Sequence, residues 1–244
     1  GDSNASSPSA TFTPRAAPTQ PLNAVGTPGD QSITVSWDRP ANDGGSAITS
    51  YAVNQAGAGQ VCTVVPAAPA AEPVTSCVVS GLTNGTNYAF TVRAVNSAGT
   101  SQGSGLSTPV SPRTVALAPT SVTNAARNAG ATISWNAPAS DGGSAVTGYK
   151  VFASPGDLQV CTVNITPPFL EPATNCIASG LVNGTSYTFT VKAVNAAGDS
   201  SPSAPSSAIT PDGVAPTAAM IDPSGEFQLG QTIGLTWSAS DADT

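Results

Sequence analysis

Three tryptophans, Trp37, Trp135 and Trp237, lie 98 and 102 residues apart, and the chain has no others. Each closes the same kind of segment: Ile33-Thr-Val-Ser-Trp37, Ala131-Thr-Ile-Ser-Trp135 and Ile233-Gly-Leu-Thr-Trp237. A fixed period of this size marks an array of repeated modules. A unit of about 100 residues can bury its own core. The 244-residue chain therefore reads as two complete modules flanked by remnants.

The cysteines obey the same period. Cys62 and Cys77 are 15 residues apart, as are Cys161 and Cys176, and the two pairs are offset by 99. Two copies of one spacing point to one disulfide per module and an oxidising, extracytoplasmic home. A metal site would want closer Cys-x-x-Cys spacing or histidine partners, and the chain has no His.

The copies align over nearly their whole length. Asn42-Asp-Gly-Gly-Ser-Ala-Ile-Thr-Ser-Tyr-Ala-Val53 matches Ser140-Asp-Gly-Gly-Ser-Ala-Val-Thr-Gly-Tyr-Lys-Val151. Ile33, Val35 and Trp37 share a face, as do Tyr51 and Val53, and period-two patterning on such residues means half-buried strands. Asp-Gly-Gly between them reads as a turn, because Gly tolerates positive φ and Asp bonds its own backbone. Pro66, Pro69 and Pro73, with Pro167, Pro168 and Pro172 in the second copy, make the segment after each first cysteine an extended edge connection.

The strongest match is Gly81-Leu-Thr-Asn-Gly-Thr-Asn-Tyr-Ala-Phe-Thr-Val-Arg-Ala-Val-Asn-Ser-Ala-Gly99 against Gly180-Leu-Val-Asn-Gly-Thr-Ser-Tyr-Thr-Phe-Thr-Val-Lys-Ala-Val-Asn-Ala-Ala-Gly198. Asn-Gly marks a turn. Tyr88, Phe90, Val92 and Ala94 alternate inward. A Tyr six residues after a Leu, opening a strand, looks like the tyrosine corner of Greek-key sandwiches.

On Trp37 and Trp135, Tyr51 and Tyr149, Leu82 with Tyr88, Leu181 with Tyr187, and the Val-x-Ala-Val-Asn-x-x-Gly ends, the chain resembles the fibronectin type III family over about residues 17–212. The resemblance implies an all-β fold of tandem seven-stranded Greek-key sandwiches and a spacing or binding role. The cysteine pair departs from most animal members and is similar to variants in bacterial secreted and surface proteins. The expected organisation is residues 1–16 as the last strand of a preceding domain or a linker, 17–114 and 115–213 as complete domains, and 214–244 as the opening of a partial immunoglobulin-like domain. Phe12, Val110 and Ile209, each two residues before Pro14, Pro112 or Pro211, support the first of these.

Catalysis has little to work with. No His removes the commonest general base, and the three Glu, at 72, 171 and 226, form no dyad. Asp43 and Asp141 supply one carboxylate per loop, too few for calcium, which wants six to eight oxygens; Asp241 and Asp243 come nearer. The expectation is no catalytic residue, no metal and no cofactor. Seven basic residues in a chain of net charge −7 make no basic patch, which argues against nucleic acid. No run of 18 apolar residues exists, so no membrane-spanning helix is expected.

Sugar binding usually needs exposed aromatic platforms, and each Trp and Tyr has a core assignment. Only Phe169, with Leu170, reads as an exposed candidate docking patch, against the alternative that it covers the sandwich edge. Asn84, Asn183 and Asn164 fit the glycosylation pattern, the first two being explained as turns. Arg93 and Lys192 occupy one outward, solvated position. The expected partners are neighbouring domains of the same protein, with copies of itself or another surface protein as further candidates. The expected function is a non-enzymatic extracellular or cell-surface spacer presenting an adhesive or catalytic module. A self-associating filament subunit built by strand addition is the first alternative. An accessory module of a secreted polysaccharide-degrading enzyme is the second.

Overall fold

A computed structural model describes residues 14–67, 73–166 and 170–213. Residues 1–13 of the expected first segment, Phe169, Asp241, Asp243, and the partial domain at 214–244 with Trp237 all lie outside the described residues. The chain divides into two compact units, and the two sequence copies build the same set of strands.

The first copy supplies β1 (Leu22–Gly29), β2 (Ser32–Asp38), β3 (Ser50–Gln55), β4 (Gly59–Val64), β5 (Ser76–Ser80), β6 (Phe90–Asn96) and β7 (Gly99–Thr100). They form a three-stranded sheet ordered β1-β2-β5 and a four-stranded sheet ordered β4-β3-β6-β7. The second copy repeats this with β8 (Thr120–Arg127), β9 (Gly130–Asn136), β10 (Gly148–Ser154), β11 (Leu158–Asn164), β12 (Asn175–Ser179), β13 (Thr188–Asn195) and β14 (Gly198–Asp199). Its sheets run β12-β9-β8 and β11-β10-β13-β14. The pairings of β1 to β7 with one another, and of β8 to β13 with one another, are antiparallel.

Period-two patterning decides which side of each strand is buried. Ile33, Val35 and Trp37 on β2 face Tyr51 and Val53 on β3 and Phe90, Val92 and Ala94 on β6. The register Tyr51↔Ala94 and Val53↔Val92 places these residues across from one another. Trp37 meets Tyr51 edge to face at 5.2 Å between ring centres, and Trp135 meets Tyr149 at 5.2 Å. Such pairs add about 0.5–1.5 kcal/mol beyond simple burial.

Each copy carries one disulfide, Cys62–Cys77 and Cys161–Cys176, with Cα atoms 6.7 Å apart in both. Each bond joins an edge strand of one sheet to an edge strand of the other, β4 to β5 and β11 to β12. The staple therefore closes the side of the sandwich where the two edge strands belong to different sheets.

The seventh strand departs from a regular ladder. β7 and β14 are two residues long, and hydrogen bonding then continues by another device. The N–H groups of Ser101, Ser104 and Ser107 donate to the carbonyls of Ala94, Val92 and Phe90 at 2.8, 2.8 and 2.9 Å. The N–H groups of Phe90, Val92 and Ala94 donate back to the three serine hydroxyls at 2.9–3.0 Å. Each hydroxyl also donates to the carbonyl of the next residue, as Ser101 does to Gln102 at 2.7 Å. Ser200, Ser203 and Ser206 do the same along β13. The segment advances three residues for every two on its partner, the repeat of polyproline II. Pro202 and Pro205 occupy the positions between the serines, where β13 asks for no N–H.

Candidate functional site

Most polar side chains that sequence reading singled out are used to fasten the sandwich. Asp43 Oδ1 accepts from the Gly45 N–H at 2.8 Å, and Asp141 Oδ1 accepts from Gly143 at 2.8 Å. Gly44 and Gly45 both have φ of +75°, and a Cβ on Gly44 would overlap the Ala16 carbonyl. Both aspartates thus hold tight turns. Among the described residues no group of three or more His, Cys, Asp or Glu is arranged to hold a metal, and no helix is long and apolar enough to cross a membrane.

The tyrosine corner is present in both copies. The Tyr88 hydroxyl accepts from the Thr83 N–H at 3.1 Å, and the Tyr187 hydroxyl from the Val182 N–H at 3.2 Å. Leu181 is buried, and Leu82 packs partly buried against the first core. Asn84 and Asn183 also work inside the fold. Asn84 accepts from the Gln31 N–H at 2.8 Å and donates to Asp30 at 2.8 Å. Asn183 accepts from Ala129 at 2.7 Å and donates to Asn128 at 2.9 Å. Leu170 is 89% exposed. Arg93 is exposed as expected, but Lys192 is half-buried, its ammonium 5.3 Å from the centre of the Phe152 ring. A ring stood at this site only in the second copy, and an outward position became a cation–π contact.

Asn96 and Asn195 are buried polar residues whose role the sequence reading missed. The Asn96 amide donates to the carbonyls of Ala16 and Asp43 at 2.7 and 2.6 Å and accepts from Ala98 and Gly99 at 2.9 and 3.0 Å. Asn195 donates to Thr114 and Asp141 at 2.9 and 2.7 Å. One side chain thus ties the entry segment, the Asp-Gly-Gly loop and the hairpin after β6 or β13. The recurrence of Asn before each Ala-Gly was the available signal.

The loop that Asn96 secures borders an open cleft of about 340 Å³ lined by Arg39, Pro40, Ala41, Asn42, Asp43, Ile48, Tyr51 and Pro73. Asn42 Oδ1 accepts from Gly44 at 2.7 Å, and its backbone is bracketed by Thr19, with the two N–H···O contacts at 2.9 and 3.1 Å. Burial pushes the Tyr51 hydroxyl pKa above 10, and the positive charge of Arg39 offsets part of that rise. Burial raises Tyr149 likewise, and the negative charge of Glu171 adds to it. The folded chain therefore holds protons that the unfolded chain releases near pH 10. Stability from this source is complete below about pH 10 and is lost as pH rises toward the raised folded values. The urea midpoint is expected to stay level to about pH 9 and to fall above pH 10, and Tyr51→Phe with Tyr149→Phe should flatten the fall. A midpoint as steep in the double variant would show that other groups govern it.

Likeness to known proteins places this architecture. Chitinase A1 of Niallia circulans is 36% identical over 192 residues, which cover 75% of this chain and 24% of that protein. Endoglucanase B of Cellulomonas fimi is 34% identical over 176 residues, 68% of this chain and 15% of that protein. The chain thus spans a quarter or less of the length of these relatives. Among solved structures, a multidomain crystal structure from titin shares the fold at TM-score 0.52 and 22% identity, covering 80% of this chain and 62% of that one. The fibronectin type III domain model matches residues 16–111 and again 117–209. With both copies matched and both tyrosine corners in place, the chain belongs to the fibronectin type III family.

Proposed function

We propose that this chain is a non-catalytic structural module of a larger extracellular polysaccharide-degrading protein, spacing and presenting its catalytic module. The observation that carries the reading is the pair of relatives named as a chitinase and an endoglucanase, in each of which the matching segment is a minor share. The disulfides support an oxidising compartment. Turn-fastening aspartates and asparagines, in a chain without histidine, support a mechanical role. Strand exchange between chains gains no support at β6 and β13, where serine hydroxyls already occupy the N–H groups of the outer edge.

The test is made in the full-length protein. Deleting residues 16–209 should leave kcat/KM on a soluble oligosaccharide unchanged within about twofold, while hydrolysis of the insoluble polymer falls. Equal loss on both substrates, or a full-length protein with no catalytic module, would overturn the reading.

A further inference from the structure

Each sheet of the first copy has two edges, and three of these four are poor templates for a further strand. β1 carries Pro28 and a break in register between Leu22 and Val25. β4 carries a break in register opposite Val53 and Asn54. β7 is two residues long, and the serine ladder follows it. Bulges, prolines and short strands are the usual protections of a sheet edge. β5 has none of them. Its five residues, Ser76-Cys-Val-Val-Ser80, run in unbroken register along β2, with no proline and no charge. No described strand pairs with its other side.

The backbone of β5 turns toward that side at alternate residues. The Trp37 N–H donates to the Thr75 carbonyl at 3.2 Å, one step beyond the Ser36↔Ser76 pair. Bonded and non-bonded pairs alternate along an antiparallel ladder. Val35 with Cys77 and Ile33 with Val79 are therefore bonded pairs. Ser76, Val78 and Ser80 then point their N–H and C=O groups away from β2, toward the outer edge. The same three side chains are exposed, Val78 at 62%. The Cys62–Cys77 bond pins the strand through its inward residue, so little freedom is lost when a partner strand docks.

We infer that the outer edge of β5 pairs with β5 of a second copy of this chain, antiparallel and centred on Val78. The outward residues read the same in both directions, Ser-x-Val-x-Ser. Ser76 stands opposite the partner's Ser80, Val78 opposite the partner's Val78, and Ser80 opposite the partner's Ser76. All three are pairs of the bonded kind, which makes about six backbone hydrogen bonds across the contact. The two valines meet as a cross-strand apolar pair, and no like charges face each other. A peptide of another protein would ask for no such symmetry in β5. The contact is isologous and closes on itself, so it yields a dimer and not a filament. β12 lacks the symmetry, because self-pairing about Ile177 sets Asn175 against Ser179.

Sedimentation equilibrium of the 244-residue chain reads the association. The average mass should rise from one chain toward two between about 10 µM and about 1 mM, the range of a small transient contact. Val78→Lys should weaken the dimer by about tenfold or more, since a lysine is the usual guard of an edge strand. Val78→Pro should do the same. It removes an N–H that β2 does not use, so the ladder inside the domain stays whole. Ile177→Lys, the matching change in β12, should alter the association by less than about twofold. Amide exchange at Ser76, Val78 and Ser80 should slow as concentration rises, while Cys77 and Val79 stay unchanged. A chain still monomeric at about 1 mM, or a mass that climbs past two copies, would overturn the assignment. Loss of the dimer in Ile177→Lys, or its survival in both Val78 variants, would do so too.

Discussion

Reducing the two disulfides is expected to cost about 3 kcal/mol in each domain, and Cys62→Ser with Cys77→Ser should reproduce the loss in the first domain alone. Each bond closes a loop with a sequence separation of 15 residues. Chain entropy alone makes such a closure worth about 3 kcal/mol. The native geometry adds a second reason. β4 and β5 belong to different sheets and are tied by the bond itself, with Cys77 buried in the core. Without it no sheet pairing among the described residues holds β4 to β5. For a domain of this size about 3 kcal/mol corresponds to a fall of about 12–24 °C in Tm. Calorimetry with and without reductant reads it directly. The serine variant should lower one transition and leave the other in place. A reduced protein melting within a few degrees of the oxidised one would mean that the sheets hold themselves together.

That cost bears on where the protein can work. Net stabilities of small domains are about 5–15 kcal/mol, so losing about 3 is a sizeable share. In a reducing cytosol both modules would stand without it. The low charge content, 9%, leaves few ion pairs to compensate, and exposed pairs are worth about 0–1 kcal/mol in any case. Staples and turns carry the stability that charge networks carry elsewhere.

Residues that obey a period or a pair rule were legible in the sequence. Trp37 with Tyr51, the inward alternation of Phe90, Val92 and Ala94, and the Asp-Gly-Gly turns are local patterns copied twice, so repetition filtered out chance. The Tyr88 corner was legible because its bond to Thr83 spans five residues. Contacts of long sequence separation were not. Asn96 reaches Ala16 across 80 residues, and an asparagine after a strand reads first as a turn former. The cleft was missed for a related reason: Arg39, Asn42 and Tyr51 converge only after the loop folds back. The closing strand was legible from Val110 and Ile209, but its serine hydrogen bonding was missed because that period is three. Ser101, Ser104 and Ser107 fit neither the strand period of two nor the helical one.

Replacing those serines is expected to be among the most damaging changes that leave the apolar core untouched. In Ser101→Ala with Ser104→Ala and Ser107→Ala, the N–H groups of Phe90, Val92 and Ala94 lose the hydroxyls that accept from them. These strand residues are fully buried, and the serines themselves are 3–7% exposed, so water does not readily take the empty place. An unsatisfied buried donor costs about 1–3 kcal/mol, so the triple variant should lose at least about 3 kcal/mol in urea unfolding. The exposed Ser80→Ala should change stability by less than about 0.5 kcal/mol. Amide exchange localises the effect: Val92 should exchange faster in Ser104→Ala and recover protection in Ser104→Thr, which restores a hydroxyl. A triple variant as stable as the parent would show that the backbone bonds from the serine N–H groups suffice alone. The ladder also bears on self-association. An ordinary edge strand offers a row of unpaired groups to a neighbour, whereas here each hydroxyl accepts from β6 and donates to its own chain, which leaves no strand-like pattern to copy. The triple variant, with that arrangement loosened, should therefore aggregate at concentrations where the parent stays monodisperse by light scattering.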